Sequence, residues 1–406
     1  MKKIIEIFEG LTKLQRTLFL IILATVLYGV SASISLSLFS NGTLISLTTK
    51  ETLTTTLPSA ANVQAEDPSQ PKTETCPLNG SMHTKKAKDI WTQKRPLAVM
   101  IENHTEARPQ SGLSSADVIY EIVAEGGITR FMALFYCDIS DVQVGPVRSA
   151  RTYFLDWLGE YDALYAHVGG ANTPGPADAL SQIIKYGVKD LNQFSIGFPV
   201  FWRDYQRLGH PVATEHTMYS TTQKLWDIGA KRGWLATDSA GVRWDEQSSL
   251  ASQGKNFISW KFKDPTSQGS AGQMAKITVN FWESQPGYQV LWTYDPKSNT
   301  YKRRNGDADH MDLDNNTQLN PKVVIVQFER ELNANDGYPG NVHLLYLTTG
   351  SGRALVFQDG SVTEGKWIKQ SRITRSKFVD KNGKEIELNK GQIWIQTVPE
   401  GSKVNY

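Results

Sequence analysis

Two arginines follow a proline closely enough to bind an anion together. In the segment 145–151, Pro146 is followed by Arg148 and Arg151. Proline suits the first turn of a helix, and the free backbone N–H groups at a helix start bind phosphate or carboxylate. Two cations at that position are repelled by the positive end of the helix dipole, and a bound anion would offset this repulsion. The alternative is that acidic side chains neutralise the arginines as structural salt bridges: Glu102, Glu121 or Glu125.

A predicted β-hairpin carries three further charges. Two β-prone segments flank Gly126-Gly127, a two-residue turn that typically joins antiparallel strands. This turn would place Val123 opposite Arg130, so three side chains should share one face of the ribbon: Glu121, Glu125 and Arg130. These charges either line a cleft or occupy the wet side of a half-exposed sheet, since alternation alone produces the second arrangement.

Three histidines lie at the ends of predicted elements. His104 follows Glu102 at the end of the first strand, and Arg108 lies in the loop after it. His167 ends another predicted strand, and His216 precedes a predicted helix. Loops beyond the carboxyl ends of strands bind ligands in α/β folds. A single histidine is more often packed than catalytic, but three at element ends support a joint hypothesis.

We therefore predict a site for an anionic or glycan ligand. The candidate acid/base groups are Glu102, His104, Glu121 and Glu125. The candidate ligand-binding residues are Arg108, Arg130, Arg148, Arg151, His167 and His216. Further candidates in the C-terminal part are Arg303, His310 and Asp312. Because the chain has no HExxH, GxSxG, phosphate-binding glycine loop or CxxC, we predict no metal site and no cofactor.

The elements that position these residues predict a mixed α/β (α+β) domain over residues 91–235. Its predicted strands are 95–101, 118–125, 128–136 and 162–168. Its predicted helices are 149–161, 177–186 and one that runs to about residue 231 from the capping-box pattern Ser220-Thr221-Thr222-Gln223. Residues 236–270 form a polar connector. Residues 271–406 predict a smaller β-rich domain, with strands at 276–282, 288–294, 323–328, 342–347, 354–358 and 392–398.

Composition excludes some classes of protein. The 406 residues suit two or three folded units, and 11 Trp, 15 Tyr and 15 Phe supply ample material for cores. The balance of 43 Lys+Arg and 41 Asp+Glu leaves a formal charge of +2, so no global field attracts nucleic acid. We expect no nucleic-acid partner, and the sequence does not indicate which protein partners the chain has.

The chain has two cysteines, Cys76 and Cys137. In an oxidising compartment they could pair across a long loop, which stabilises a fold by about 4 kcal/mol in the chain-entropy model. Alternatively, Cys137 is a buried thiol at the end of a strand and Cys76 an unrelated thiol in a flexible segment.

The N-terminus predicts an export device. Residues 1–16 carry positive charge and would form a cytoplasmic tail, and residues 17–39 contain no charge and would form a transmembrane anchor. The alternative is a cleaved signal peptide, because Val30-Ser31-Ala32 has the small residues of a cleavage site. Residues 40–90 have the composition of a disordered linker. This predicts a single-pass protein of the cell membrane, with the membrane as a partner and the body outside.

Several segments together resemble the YerB-like family, a bacterial family of envelope lipoproteins with domains of unknown function. The segments that carry the resemblance are 95–104, 107–113, 125–131 and 145–151, and downstream 301–303, His310, Asp312, 350–352, Trp367 and 391–394. The resemblance implies an exported, membrane-attached protein with two body domains and no established activity. The chain departs from the lipoprotein pattern, because no cysteine closely follows the apolar run.

Two other functions stay open at this point. One is an enzyme, a hydrolase or phosphotransferase acting on envelope glycan or a lipid-linked precursor. In its fold-level pattern the first domain also resembles the LytR-CpsA-Psr phosphotransferases, which handle polyprenyl-pyrophosphate glycans. The other is a structural or partner-binding envelope module in which the same charges pair with each other.

Overall fold

The computed structural model describes most of the chain beyond the linker. The described residues are 12, 15, 25, 65–238, 241–245, 257–264 and 276–406. The predicted tail, anchor and most of the predicted linker therefore lie outside the described residues, with Thr25 the one described position of the predicted anchor. Among the residues that are described, no helix combines the length and apolar character needed to cross a bilayer.

The N-terminal body contains ten strands and five α-helices within the described ranges. The strands are β1 (Lys72–Thr75), β2 (Met82–Thr84), β3 (Leu97–Glu102), β4 (Val118–Glu125), β5 (Ile128–Phe135), β6 (Gln143–Val144), β7 (Leu164–His167), β8 (Lys189–Asn192), β9 (Trp202–Arg203) and β10 (Met218–Thr221). The helices are α1 (Lys85–Trp91), α2 (Thr152–Leu158), α3 (Ala179–Lys185), α4 (Gln193–Ile196) and α5 (Thr222–Lys231).

The described part of the C-terminal domain consists mainly of strands, with two short 3₁₀ turns, Pro286–Tyr288 and Pro339–Asn341. The strands are β11 (Phe262–Lys263), β12 (Lys276–Val279), β13 (Val290–Asp295), β14 (Thr300–Asn305), β15 (Ala308–Asp309), β16 (Met311–Asp312), β17 (Thr317–Gln318), β18 (Val323–Glu329), β19 (Glu331–Asn333), β20 (Leu344–Tyr346), β21 (Gly350–Gln358), β22 (Ser361–Lys369), β23 (Lys377–Asp380), β24 (Leu388–Asn389), β25 (Ile393–Pro399) and β26 (Val404–Asn405). The predicted mixed fold, strand-rich with a β-rich C-terminal domain, is confirmed at this level.

One sheet of ten strands runs through both domains. Its order is β23-β22-β21-β18-β25-β4-β5-β3-β7-β8. The N-terminal body supplies β3, β4, β5, β7 and β8, and the C-terminal domain supplies the other five. The two halves meet where β25 pairs in parallel with both β18 and β4. Long-range strand pairing therefore joins the two domains through backbone hydrogen bonds as well as side chains.

The two faces of this sheet are covered by different elements. Tyr120 of β4 stacks on Trp157 of α2, with ring centroids 5.0 Å apart. Trp394 of β25 meets Trp292 of the five-stranded sheet β15-β14-β13-β12-β26 at 5.4 Å on the other face. Each fully buried aromatic side chain of this kind contributes about 2 kcal/mol of hydrophobic stabilisation. Both faces of the ten-stranded sheet are therefore buried, one against α2 and the other against the five-stranded sheet.

Regular structure begins earlier than the sequence predicts. β1, β2 and all of α1 except Trp91 lie inside residues 40–90, which were predicted to be a disordered linker. Cys76 and Cys137 form a disulfide, and Leu78 and Trp91 are buried in the core. A covalent crosslink and a few buried apolar side chains hold this segment against the sheet, although its composition is that of a linker.

The helix predicted over 149–161 begins later than expected. α2 starts at Thr152, and the segment before it is extended, with Arg148 N–H donating to Met100 O and Val147 N–H donating to Met218 O. Residues 146–148, which the proline pattern assigned to a first helical turn, instead form backbone hydrogen bonds with β3. Pro146 and Arg148 therefore lie before the helix, whereas Arg151 is the residue that caps its start. The helical first turn predicted at Pro146 is wrong, and anion binding by these arginines stays a prediction.

Candidate functional site

Several of the predicted site residues lie together at one end of the ten-stranded sheet. β3 ends at Glu102, and β5, antiparallel to it, begins near Arg130, so that these two residues lie directly opposite each other. Arg148 lies on the extended segment that pairs with the end of β3. His216 ends a short 3₁₀ turn, Thr214–His216, immediately before β10. We call Glu102, His104, Glu106, Arg148 and His216 the edge cluster.

Glu102 is the centre of the edge cluster. Its side chain is buried, and its two oxygens serve different partners. Arg148 Nε lies 3.1 Å from Oε1, and His216 Nδ1 lies 2.8 Å from Oε2. Because a carboxylate only accepts, His216 Nδ1 carries the proton of that hydrogen bond and Nε2 faces away from Glu102. Burial lowers the pKa of Arg148, an effect that the charge of Glu102 opposes.

The two histidines of the edge cluster lie face to face. The rings of His104 and His216 are stacked with centroids 4.7 Å apart and planes 13° from parallel. His104 Nδ1 accepts a hydrogen bond from Glu106 N–H at 3.2 Å, and Glu106 Oε2 lies 3.6 Å from His216 Nε2. His216 is buried, His104 half-buried and Glu106 exposed, so the group opens to solvent on the Glu106 side.

A second charged group adjoins the edge cluster. Glu125, at the end of β4, pairs with both Arg130 and Arg151. Burial alone would raise the pKa of Glu125, but the charges of Arg130 and Arg151 outweigh it and lower the pKa to about 2. Arg130 also donates to Ser149 O at 3.0 Å, and Arg151 donates to Ala150 O at 2.8 Å. Ion pairs of the kind that the sequence offered as the alternative are thus present for Arg151, with Glu125, and for Arg148, with Glu102.

Glu121 does not share a face with Glu125 and Arg130, as the hairpin pattern predicted. A β-bulge lies between Val123 and Glu125, and it places Ile122 rather than Val123 opposite Arg130. The extra residue in β4 reverses which face the preceding residues occupy. Glu121 therefore points to the opposite side of the sheet, away from the arginines of the second group.

Glu121 instead forms a fully buried ion pair with Arg303 of β14, at 2.8 Å. Trp394 Nε1 and Gln396 Nε2 donate to its other oxygen, each at 2.9 Å. Arg303 Nε donates to His310 Nδ1 at 2.8 Å. Burial, reinforced by the charge of Arg303, lowers the pKa of His310 well below its ordinary value. These residues lie between two packed sheets and form a polar core network.

Arg108 and Asp312 hold loops together. Arg108 donates to Asn103 Oδ1 at 3.1 Å and to Gly287 O at 2.9 Å. Asp312 accepts from the backbone N–H groups of Gly112 and Ser114, at 2.9 and 2.7 Å. The contact of Arg108 with Gly287 and the contacts of Asp312 join the N-terminal body to the C-terminal domain. The structure thus gives both residues partners within the chain.

His167 is separated from the edge cluster by its own partners. Its ring is buried, with Nδ1 2.7 Å from Gly169 O and Nε2 2.7 Å from Asp190 Oδ1. Both nitrogens therefore face acceptors on the neighbouring strand and loop. The structure joins His104 and His216, but it does not bring His167 to them.

A cavity of about 170 Å³ lies among other residues. Its walls include Arg95, Gly159, Asp162, Tyr186, Lys189 and Arg372. Asp162 already pairs with Arg95 and with Lys189. None of the side chains that the sequence singled out lines this cavity.

Comparison with known proteins agrees with the two-domain architecture. Residues 80–235 match the family model described as "Protein of unknown function (DUF3048) N-terminal domain", and residues 277–395 match its C-terminal counterpart. "Putative lipoprotein YerB" of Bacillus subtilis is 28% identical over 311 residues, which cover 76% of this chain and 82% of that protein. The chain belongs to the YerB-like family.

A solved structure supports the same assignment for this YerB-like chain. The crystal structure of the YerB protein from Bacillus subtilis superposes with a TM-score of 0.66 at 25% sequence identity. The superposition covers 82% of this chain and 100% of that one. The resemblance drawn from the sequence is therefore confirmed, and the family description assigns no activity.

Sequence reasoning on this YerB-like chain missed one member of the edge cluster. Glu106 lies two residues after His104, in the 3₁₀ turn Thr105–Ala107. The available signal was a histidine and a carboxylate in one short turn, followed at a distance by a second histidine. Metal motifs such as HExxH and CxxC depend on helical spacing or cysteine pairs, which this arrangement does not have.

Proposed function

We propose that this is an exported, envelope-associated protein that binds an anionic group of an envelope ligand beside Arg148. The observation that carries the proposal is the charge balance at the sheet end. Two carboxylates, Glu102 and Glu125, share three guanidinium groups, Arg130, Arg148 and Arg151. A buried or half-buried charge without a full counter-charge is costly, and an anionic ligand would remove that cost.

Arg148 is the member of this group that a ligand can reach. Its side chain is 23% exposed, compared with 2% for Arg130. The carboxylates of Glu106 and Glu215 stand at the solvent side, where water screens them. A guanidinium presents donors in a planar fork that matches the oxygens of phosphate or carboxylate. Phosphate and carboxylate are therefore the ligand groups that fit best.

Unpaired donors on the neighbouring arginines support the same proposal. Arg130 Nε and Arg151 Nε are buried without a hydrogen-bond acceptor among the described residues. Buried polar groups without a partner are uncommon in folded proteins and call for an explanation. A ligand oxygen that displaced part of the Glu125 pairing could satisfy them.

Three observations support the envelope location. Cys76 and Cys137 form a disulfide, and disulfides persist in oxidising compartments. The charged and apolar pattern of residues 1–39 suits export, and the Bacillus subtilis relative is named a lipoprotein. Both cysteines of the chain are in the disulfide, so neither thiol is free for lipid attachment.

Ligand binding is tested by titrating purified full-length protein with phosphate, pyrophosphate and muropeptides while following its melting temperature and heats of binding. We expect at least one of them to bind, and Arg148→Met to weaken that binding at least tenfold. The matched control is Arg353→Met, because that arginine is exposed on β21, with 52% of its side chain accessible. Sodium chloride at equal ionic strength should not reproduce the stabilisation.

Two results would overturn the proposal. One is that none of these anions binds, and the other is that Arg148→Met and Arg353→Met bind equally well. The location is tested separately by a C-terminal phosphatase fusion, which is active only outside the cytoplasm. An inactive fusion of normal abundance would refute the envelope assignment and leave the binding result standing.

A further inference from the structure

We propose that His104, Glu106 and His216 bind a divalent transition-metal ion, with Glu102 as the group that orients His216. The sequence predicted no metal site, and the proposed anion site uses neither His104 nor Glu106. The inference therefore goes beyond the proposed function and stands or fails on its own measurements.

The three side chains place their potential ligand atoms near one another. One ligand atom from each, an imidazole nitrogen or a carboxylate oxygen, lies within 4.8 Å of the other two. Zinc binds histidine nitrogens and carboxylate oxygens at about 2.0–2.2 Å, so tetrahedral ligand atoms are roughly 3.3 Å apart. Glu106 Oε2 and His216 Nε2 are separated by 3.6 Å. Metal binding also requires the half-buried His104 ring to turn, because stacked imidazoles direct their lone pairs along nearly parallel planes and His104 Nδ1 accepts the Glu106 N–H. The exposed side chain of Glu106 can follow that rotation.

Glu102 prepares His216 as a ligand. It accepts the Nδ1 hydrogen bond at 2.8 Å, which fixes the ring and leaves the Nε2 lone pair directed toward Glu106. A carboxylate that holds one nitrogen of a metal-binding histidine is the usual supporting contact of such sites. Nε2 and the carboxylate of Glu106 need a positively charged group between them, which is either a proton carried by His216 or a metal ion bound by both side chains.

The backbone holds the ligands on two short turns. His104 and Glu106 belong to one 3₁₀ turn, in which Ala107 N–H donates to His104 O at 2.9 Å. His216 ends the turn Thr214–His216, where its own N–H donates to Ala213 O at 2.9 Å. The stacked imidazole rings bring the two turns into contact. A metal ion here would join two loops that lie far apart in the chain.

The donor set selects the kind of metal. Two imidazoles and one carboxylate suit zinc and its neighbours in the first transition row, whereas magnesium and calcium prefer oxygen ligands. Three protein ligands also leave a fourth position open, as in zinc sites that bind a water or a substrate group. A second cluster with ligand-type atoms, Cys76, Asp117 and Cys137, does not compete, because its cysteines are in the disulfide.

The test uses untagged full-length protein, stripped with a chelator and titrated with zinc, cobalt, magnesium or calcium in a buffer without phosphate. We expect one zinc per chain, a rise in melting temperature, and visible absorption bands of low-symmetry cobalt after cobalt substitution. His104→Ala and Glu106→Gln should each weaken zinc binding at least tenfold, and Glu102→Gln should weaken it 10–100-fold through loss of His216 orientation.

Two control variants separate this site from surface binding. Glu215→Gln removes an exposed carboxylate from the same turn as His216, and His210→Ala removes an exposed histidine. Both should bind zinc as the wild type does. The inference is refuted if no stoichiometric binding occurs, or if His104→Ala and Glu106→Gln bind zinc as tightly as the controls. His104→Ala and Glu106→Gln alter side chains that are accessible to solvent, so we expect their melting curves without metal to match that of the wild type. Matching curves show that these two variants fold. Anion binding measured on the zinc-free protein distinguishes failure of this inference from failure of the proposed function.

Discussion

Glu121 and Arg303 lie 182 residues apart in the chain, yet their side chains meet at 2.8 Å with no exposure to solvent. Glu121 comes from β4 in the ten-stranded sheet, and Arg303 comes from β14 in the sheet that packs on it. The guanidinium of Arg303 also lies 4.5 Å from the ring centre of Trp394. This ion pair therefore joins the two domains inside their common core.

Replacing one partner of this pair should destabilise the whole body. Glu121→Gln leaves the Arg303 cation buried without its counter-charge, which costs about 3–5 kcal/mol in comparable pairs. We expect the free energy of unfolding, measured by urea titration, to fall by that amount.

The matched control is Glu364→Gln, because Glu364 pairs with Arg353 on the exposed face of β22 at 3.9 Å. Exposed pairs contribute about 0–1 kcal/mol. A loss of less than about 1 kcal/mol in Glu121→Gln would show that the buried pair does not hold the domains together.

Glu125 should make part of the stability depend on acid pH. Its pKa is lowered from 4.5 to about 2 in the folded state, where Arg130 and Arg151 outweigh the effect of burial. Because the folded pKa is the lower one, ionised Glu125 stabilises the fold at pH values above about 4.5. This stabilisation is lost as the pH falls from about 4.5 to 2. The shift corresponds to at most about 3 kcal/mol, reduced by solvent screening because Glu125 is partly exposed.

The measurement is urea unfolding at a series of pH values between 2.5 and 6. Glu125→Gln should be less stable than the wild type at pH 6, and the difference should shrink toward pH 2.5. If the two proteins lose stability in parallel, the pairing of Glu125 does not contribute to the acid limb.

Lys94→Met should stabilise the protein. Lys94 is 2% exposed, its Nζ has no hydrogen-bond acceptor among the described residues, and it lies 3.9 Å from the ring centre of Trp226. Burial lowers its pKa to about 8, so the charged form is disfavoured in the folded state. An apolar side chain of similar shape removes that cost, and we expect a gain of about 1–2 kcal/mol at pH 7.

The sign of the pH effect provides a second check. Because the folded pKa lies below the unfolded value of 10.5, the wild type should gain stability as pH rises from about 8 toward 10.5. Lys94→Met should lack this gain. Lys185→Met is the control, since Lys185 also lies near an aromatic ring but is exposed. Destabilisation by Lys94→Met would mean that the contact of Lys94 with Trp226 outweighs the cost of burying the ammonium.

Reducing the disulfide should lower the stability of the body. Cys76 and Cys137 are separated by 61 residues, and closing a loop of that length contributes about 4 kcal/mol in the chain-entropy model. We expect a clear drop in melting temperature when reductant is added. The double variant Cys76→Ala/Cys137→Ala should melt near the reduced wild type and ignore reductant. Equal melting of the oxidised and reduced wild type would contradict this.

Strand positions were predictable where apolar side chains alternate or run together. The hairpin of β4 and β5 and the apolar strands β18 and β25 lie where their sequence patterns indicate. β22 was missed because its sequence, SVTEGKWIK, carries polar side chains at most positions. Its strand conformation follows from backbone pairing with β21 and β23, which sequence periodicity does not reveal.

The candidate site was predictable in part, for reasons that lie in the backbone. Loops at the carboxyl end of β3 were expected to gather ligand-binding groups, and Glu102, His104, Arg148 and His216 do lie together. The bulge in β4 places Glu121 on the opposite face of the sheet from Glu125, and no residue type in that strand predicts the bulge. The extended conformation around Arg148 depends on hydrogen bonds to Met100, which is distant in sequence.

The position of β25 has a consequence for biosynthesis. This strand is synthesised after the other nine strands of the sheet, yet it fills the gap between β18 and β4 at the middle of the sheet. Until it arrives, each half-sheet presents an unpaired inner edge that can capture other chains. A nascent or translocating polypeptide of this kind must therefore be shielded from aggregation until β25 has been made, and truncations that remove β25 should be insoluble rather than merely less stable.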